Sequence, residues 1–272
     1  MIHRLSFIVL VTLLAWSRVA SSDAAPEATP PLGVVADPCV GVPTEATAKH
    51  KATDDWYGAW MREWLSLDWG QLCRYPAENA ALPAAGPHRV VMIGDSITEG
   101  WKITVPAFFG DDLLDRGISG QTTAQMLVRF RRDVIELHPA VVHIMGGTND
   151  VASNRGPVSA EFVLGNLASM AELARAHGIR VIVAAIPPCS RLPWIPEIQP
   201  AETIRALNVR LEAYAKREGF VWVDYGTVIG DGQGGIRKEF AEDGVHPTAA
   251  GYAAMAPLTR AAIERALAQR QP

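Results

Sequence analysis

Five short apolar runs between residues 89 and 224 constrain this chain more than any other feature. Residues 89–93 (RVVMI) end at Gly94, a weaker run at Leu113-Leu114 ends at Gly117, and residues 140–145 (AVVHIM) lead from Pro139 into Gly146-Gly147. Residues 180–186 (RVIVAAI) stop at Pro187-Pro188, and residues 220–224 follow Gly219. Segments 122–137, 159–177, 202–218 and 248–267 carry helical spacing, with Gly178 and Gly219 as stop signals. Strands that are apolar on both faces and alternate with helices require a parallel sheet covered on both sides. With right-handed crossovers, the predicted fold is α/β, a three-layer α/β/α arrangement around a doubly wound parallel sheet. Such sheets place their sites outside the carboxyl ends of the strands. The loops that follow the apolar runs are therefore where chemistry is expected.

The chain ahead of this pattern reads differently. Met1-Ile2-His3-Arg4 is a basic start, residues 5–16 (LSFIVLVTLLAW) are mostly apolar, and Ala20-Ser21-Ser22 and Ser22-Asp23-Ala24 are small-residue cleavage points. That is the layout of a secretory signal peptide, and the run is shorter than the roughly 20 residues that span a bilayer as a helix. The expected organisation is a signal peptide over 1–24, an N-terminal arm and helix packed on the domain over 25–85, and the α/β domain over 86–272. The expected location is periplasmic or secreted, with no stable membrane span after cleavage. In an oxidising compartment Cys39 and Cys73 could pair, although Cys189 leaves the connectivity open. Trp56, Trp60 and Trp64 recur every four residues, a stripe read more simply as a helix's buried face than as a sugar platform. A net charge of -4 lacks the basic surplus of a nucleic-acid binder, and 49% hydrophobic residues argue against disorder. Three cysteines without paired spacing make no zinc site.

Four segments at strand ends or in late loops carry the reactive side chains. Gly94-Asp95-Ser96-Ile97-Thr98-Glu99-Gly100 follows the first apolar run, where a serine at a strand-to-helix turn exposes its hydroxyl. Arg116-Gly117-Ile118-Ser119-Gly120-Gln121-Thr122 follows the second, and Gly120 would let a backbone N–H approach a substrate unobstructed. Gly146-Gly147-Thr148-Asn149-Asp150 follows the third and offers the Asn149 carboxamide as a donor. Asp243-Gly244-Val245-His246-Pro247 precedes the last helix, with a carboxylate three residues ahead of an imidazole and able to turn back onto its Nδ1–H. Each fragment alone could be an ordinary turn or helix cap. Their occurrence together, in this order and at these places, points to a serine nucleophile with its base and its oxyanion donors.

These segments resemble the four blocks of the SGNH hydrolases, also called the GDSL esterase/lipase family, with Ile97 where the family name has leucine. The resemblance spans about residues 89–267 and implies the flavodoxin-like fold of that family. It further implies Ser96 as nucleophile, Gly120 and Asn149 as oxyanion donors, Asp243 and His246 as acid and base, and no metal or organic cofactor. An α/β-hydrolase is a poorer match: its Gly-x-Ser-x-Gly elbow would need glycine where Thr98 stands. Gly230-x-Gly232-x-x-Gly235 matches a dinucleotide pattern formally, but it neither directly follows its strand nor opens a helix, so it is read as a mobile loop. The expected partner is a small-molecule or carbohydrate ester, with Trp101 and Trp194 bordering the pocket. No long apolar insertion suits a lipid lid, which favours short acyl groups over the lysophospholipase or thioesterase activities of the family. An O-acetyltransferase and a catalytically silent carbohydrate-binding protein are the alternatives on the same fold. The oligomeric state is left open.

Overall fold

Among the described residues one sheet of five parallel strands forms, in the order β2-β1-β3-β4-β5. The strands are β1 Val90–Gly94, β2 Leu113–Gly117, β3 Val141–Met145, β4 Arg180–Ala184 and β5 Val221–Val223. The computed structural model describes residues 34–42, 62, 64–110 and 112–270. The expected signal peptide, Trp56 and Trp60 lie outside them. The chain divides into two units, Met1–Val42 and Pro43–Pro272. In the first, residues 34–42 are described and include a turn closed by Val42 N–H on the Cys39 carbonyl at 3.2 Å. Everything below concerns the second.

The chain enters the sheet at β1, one strand in from the edge, winds outward to β2, and then crosses β1 to reach β3. The winding direction thus reverses between β1 and β3, the place where open α/β sheets form their sites. Register sharpens this, because Gly94 at the end of β1 pairs with both Gly117 of β2 and Met145 of β3. The three following loops consequently start at one level.

Both faces of the sheet are apolar because both are covered. Val91, Ile93, Val142 and Ile144 point into a layer with α2 (Thr123–Asp133), α3 (Ala160–Ala176) and α4 (Pro200–Glu218). Val90, Met92, Val141 and Met145 face the opposite layer, formed by α1 (Ser96–Thr104) and α5 (Ala249–Ala268). This is the three-layer α/β/α fold. Local signals set most helix starts: Asp95 caps α1, Thr122 and Gln125 form a capping box on α2, Ser159 caps α3, and Thr248 caps α5. Pro200 occupies the first turn of α4, two residues earlier than periodicity indicates, because its missing N–H costs nothing there. The expected helix over 122–137 breaks at Val134, and Ile135–Leu137 form a 3-10 turn ending at His138 with φ 50°. The break turns Val134, Ile135 and Leu137 into the core. No helix among the described residues is long and apolar enough to cross a membrane.

Trp101 requires a correction. It has no exposed surface, stacks on Phe108 and Tyr252 at centroid distances of 4.8 and 5.1 Å, and meets Tyr225 edge-on. It lies one helical turn beyond Ile97 on the same inward face of α1, so it fills core instead of bordering a pocket.

Residues 64–82 brace the sheet edge and both ends of α2. Tyr75 donates its hydroxyl to the Gly117 carbonyl, Gln121 Nε2 donates to Gln71 Oε1 at 2.7 Å, and Asn79 Nδ2 donates to Asp133 Oδ1 at 3.0 Å. Trp64 is buried there. Arg129, fully buried, donates to Gln121 Oε1 (2.6 Å), Asp133 Oδ2 (3.2 Å) and the Gly94 carbonyl (2.9 Å). One guanidinium thus ties the end of β1 to the loop after β2.

Two buried carboxyls give the fold a pH dependence. Burial pushes Asp115 up to about 7, opposed by the Gly117 N–H on its Oδ1, and pushes Asp95 up to about 6. A raised carboxyl pKa means the folded state holds a proton that the unfolded chain releases. The associated stability is present below about pH 4 and is lost as pH rises through 6 to 7. Thermal melting should therefore fall by a few degrees between pH 5 and pH 8. Asp115→Asn, which keeps the oxygen for Gly117 N–H, should flatten that fall. An unchanged pH slope in the variant would show that Asp115 is ionised throughout.

Candidate active site

β1 ends at Gly94, Asp95 caps the next helix by accepting Ile97 N–H at 3.0 Å, and Ser96 is the first residue of α1. The turn must be tight. A Cβ on Gly94 would stand 2.0 Å from Thr98 Oγ1 and 2.7 Å from the Met145 carbonyl, so only glycine lets the serine turn lie against β3. Ser96 N–H falls in the first turn of a helix and has no intrahelical acceptor. Asp95 beneath it is buried, which raises its pKa, while the Ile97 N–H and the facing His246 pull the other way.

Ser96 Oγ lies 2.9 Å from His246 Nε2. On the other side of the ring, His246 Nδ1 lies 2.6 Å from Asp243 Oδ2. Asp243 Oδ1 accepts the backbone N–H of Val245 and of His246, both at 2.8 Å. One carboxylate therefore holds both its own loop and the imidazole, which is what a three-residue separation permits. Burial pulls the Asp243 pKa upward, but the hydrogen bonds from the ring and from the two backbone N–H groups outweigh it and leave the carboxyl below its usual range.

Gly120 has φ +76°, and the space where a Cβ would point is open. The backbone conformation is therefore what requires glycine, while steric freedom alone does not. Asn149 is buried in the short helix Thr148–Val151 and donates Nδ2–H to the Gln121 carbonyl at 3.0 Å, with Asp95 Oδ2 at 3.4 Å. The loops are bonded to one another. Glu99 accepts the N–H of Ser119 at 2.9 Å and its hydroxyl, and Asp150 accepts Thr123 N–H at 2.9 Å and its hydroxyl at 2.7 Å.

Trp194 lies beside the His246 ring, with centroids 6.2 Å apart and planes tilted by 34°, and 45% of its surface is exposed. Ser96, His246 and Asp243 are thus bonded in series, Asn149 reaches the loop that carries Gly120, and Trp194 is at the rim. Asp95, Glu99, Gln121, Arg129, Asp150 and Asn154 also hold these loops, and periodicity gives no signal for them. The Gly230–Gly235 stretch closes on itself: Asp231 Oδ1 accepts the N–H of Gln233 at 2.7 Å and of Gly235 at 2.9 Å. Among the described residues no group of three or more His, Cys, Asp or Glu is placed to hold a metal ion.

A model of the family described as GDSL-like lipase/acylhydrolase matches residues 92–254. The esterase TesA of Pseudomonas aeruginosa is 30% identical over 179 residues, which cover 61% of this chain and 83% of that protein. The crystal structure of a GDSL-like lipase from Bacteroides thetaiotaomicron is 45% identical with a TM-score of 0.70, over 73% of this chain and 99% of that one. The acetylxylan esterase Axe2 from Geobacillus stearothermophilus shares the fold at 20% identity and a TM-score of 0.52, over 69% of this chain and 97% of that one.

Proposed function

The chain belongs to the GDSL-like lipase/acylhydrolase family, and on that premise we propose that it is a secreted serine esterase that removes short acyl groups, of the acetyl kind, from small-molecule or carbohydrate esters. The observation that carries this reading is the series Ser96 Oγ, His246 Nε2, His246 Nδ1, Asp243 Oδ2, at 2.9 and 2.6 Å. His246, neutral and with its proton on Nδ1, accepts the Ser96 proton through Nε2 as Oγ attacks the ester carbonyl carbon. Asp243 holds that tautomer and stabilises the imidazolium. The carbonyl oxygen gains negative charge, which the N–H groups of Ser96 and Gly120 and the Asn149 amide receive. His246 returns the proton to the leaving alcohol, an acyl-serine remains, and water repeats the sequence to release the acid.

The substrate class rests on the rim. The exposed Trp194 indole next to His246 offers an apolar plane of the kind that stacks on a sugar ring or a compact leaving group. The apolar start of the chain supports export. Cys189 is a buried free thiol.

The test is a chain-length series of p-nitrophenyl acetate, butyrate and octanoate. kcat/KM should fall from acetate to octanoate by about tenfold or more, the size expected when a few methylenes are refused. A preference for octanoate would overturn the short-acyl reading in favour of lipid or thioester substrates.

A further inference from the structure

Beyond the residues that react, a hydrogen-bonded series runs from the rim into the oxyanion side of the site. Trp194 Nε1 lies 3.2 Å from Asn154 Oδ1, and Asn154 Nδ2 lies 2.6 Å from Asn149 Oδ1. Asn149 Nδ2 in turn donates to the Gln121 carbonyl at 3.0 Å. The polarity of this series has only one consistent solution. An indole N–H can donate but never accept, so the Asn154 oxygen must face it. The Asn154 amino group then faces Asn149 and needs an acceptor, so the Asn149 oxygen must face Asn154. The Asn149 amino group is left toward Gln121 and the site, which is the orientation an oxyanion donor needs. The Gln121 carbonyl enforces the same answer from the other end, since it can only accept.

The backbone is shaped to make this contact. Asn154 N–H bonds back to the Asn149 carbonyl at 3.0 Å, and Ser153 N–H to the Asp150 carbonyl at 2.9 Å. Closing so short a loop puts Ser153 in the left-handed region at φ 54° and Gly156 at φ +93°. A serine there carries a conformational cost, and such cost collects where the surroundings over-determine a site. The result is that Asn154, five residues after Asn149, points its side chain back at it.

We propose that Asn154 is a positioning residue that locks the Asn149 amide in the donating orientation, and that Trp194 sets the polarity of this lock from the substrate-facing rim. Asn154 itself touches no reacting atom. It rests on the reading of Asn149 as an oxyanion donor. One end of the series is the indole that borders His246, so the group that meets the leaving alcohol and the group that meets the oxyanion are held by one set of bonds.

The experiment uses the full chain with p-nitrophenyl acetate, and compares Asn154→Ala, Asn154→Asp, Trp194→Phe and the Asn154→Ala/Trp194→Phe double variant, with Ser96→Ala alongside. Asn154→Ala should lose about tenfold to a hundredfold in kcat with KM within about twofold, because orientation matters in the transition state more than in the ground state. Affinity for a short alkyl boronic acid, whose tetrahedral adduct on serine places an oxygen on these donors, should fall by a similar factor. Asn154→Asp keeps the shape but presents an acceptor to an acceptor, and should be at least as impaired at neutral pH; it also keeps the test alive if the alanine variant melts early. Trp194→Phe should lose about threefold to tenfold in kcat alongside any change in KM. The double variant should have the kcat of Asn154→Ala, since a broken series cannot be broken twice. A kcat unchanged in both Asn154 variants while Ser96→Ala is inactive would overturn the positioning role and leave the serine mechanism standing. Fully additive kcat losses in the double variant would overturn the link to Trp194. An active Ser96→Ala would instead remove the mechanism on which the proposal rests.

Discussion

Ser96→Ala should lower ester hydrolysis by on the order of 10⁴- to 10⁶-fold while the protein stays folded. The size follows from what one oxygen does. Without Oγ there is no acyl-enzyme, and His246 loses the group 2.9 Å from its Nε2. The donors around Gly120 and Asn149 remain, so a residual water reaction above background is expected. Stability should change little, because the hydroxyl is half-buried with that one bond, worth about 1 kcal/mol, and alanine suits the first turn of a helix. The measurement is turnover of p-nitrophenyl acetate paired with a thermal melt and with fluorophosphonate labelling read by mass spectrometry. Wild type should be labelled at Ser96 and the variant not at all. Turnover within tenfold of wild type in the variant would exclude Ser96 as the nucleophile.

The second large effect is at a residue that never touches the substrate. Asp243→Asn should cost about 10³- to 10⁴-fold in kcat with a small change in KM. In the native loop Asp243 Oδ1 takes two backbone N–H groups and Oδ2 takes the ring. An asparagine must keep its oxygen on the two N–H donors, and that turns its NH₂ toward His246 Nδ1. The imidazole then carries its proton on Nε2, facing Ser96, and cannot accept another. The fold survives, because the loop bonds do. The native carboxyl is held below its usual range by these same bonds, so it is ionised throughout the neutral range. A kcat within about threefold of wild type would mean that another group orients the ring.

Much of this architecture is legible in the residues because parallel strands and the loops after them leave strong local marks. The five apolar runs all became strands, with no end moved by more than three residues. The serine turn, the Gly120 loop, the Asn149 loop and the late Asp243-His246 pair are short, polar and bounded by glycine, so each can be seen without its neighbours. Trp101 could not be judged the same way. Its position one turn from Ile97 places both on one face, but whether that face meets core or substrate depends on where α5 lies, and there Tyr252 closes over it. Trp194, more than 40 residues along the chain from any of the four segments, ended at the rim beside His246.

Asn154 and Arg129 mark the boundary more clearly. Arg129 looks like one basic residue among several on an amphipathic helix, yet it is fully buried and bonded to the end of β1 and to the loop after β2. Asn154 looks like a loop residue, and only the turn through Ser153 aims it at Asn149. By itself the sequence determined the layer order, which runs are strands and the residue types that can react, because periodicity, glycine and proline act over a few residues. Tertiary structure alone decided which tryptophan is core, which arginine is buried, and which amide holds the oxyanion donor. Those outcomes depend on stacking and hydrogen-bond partners from 4 to 151 positions away along the chain, whose distances no local pattern encodes.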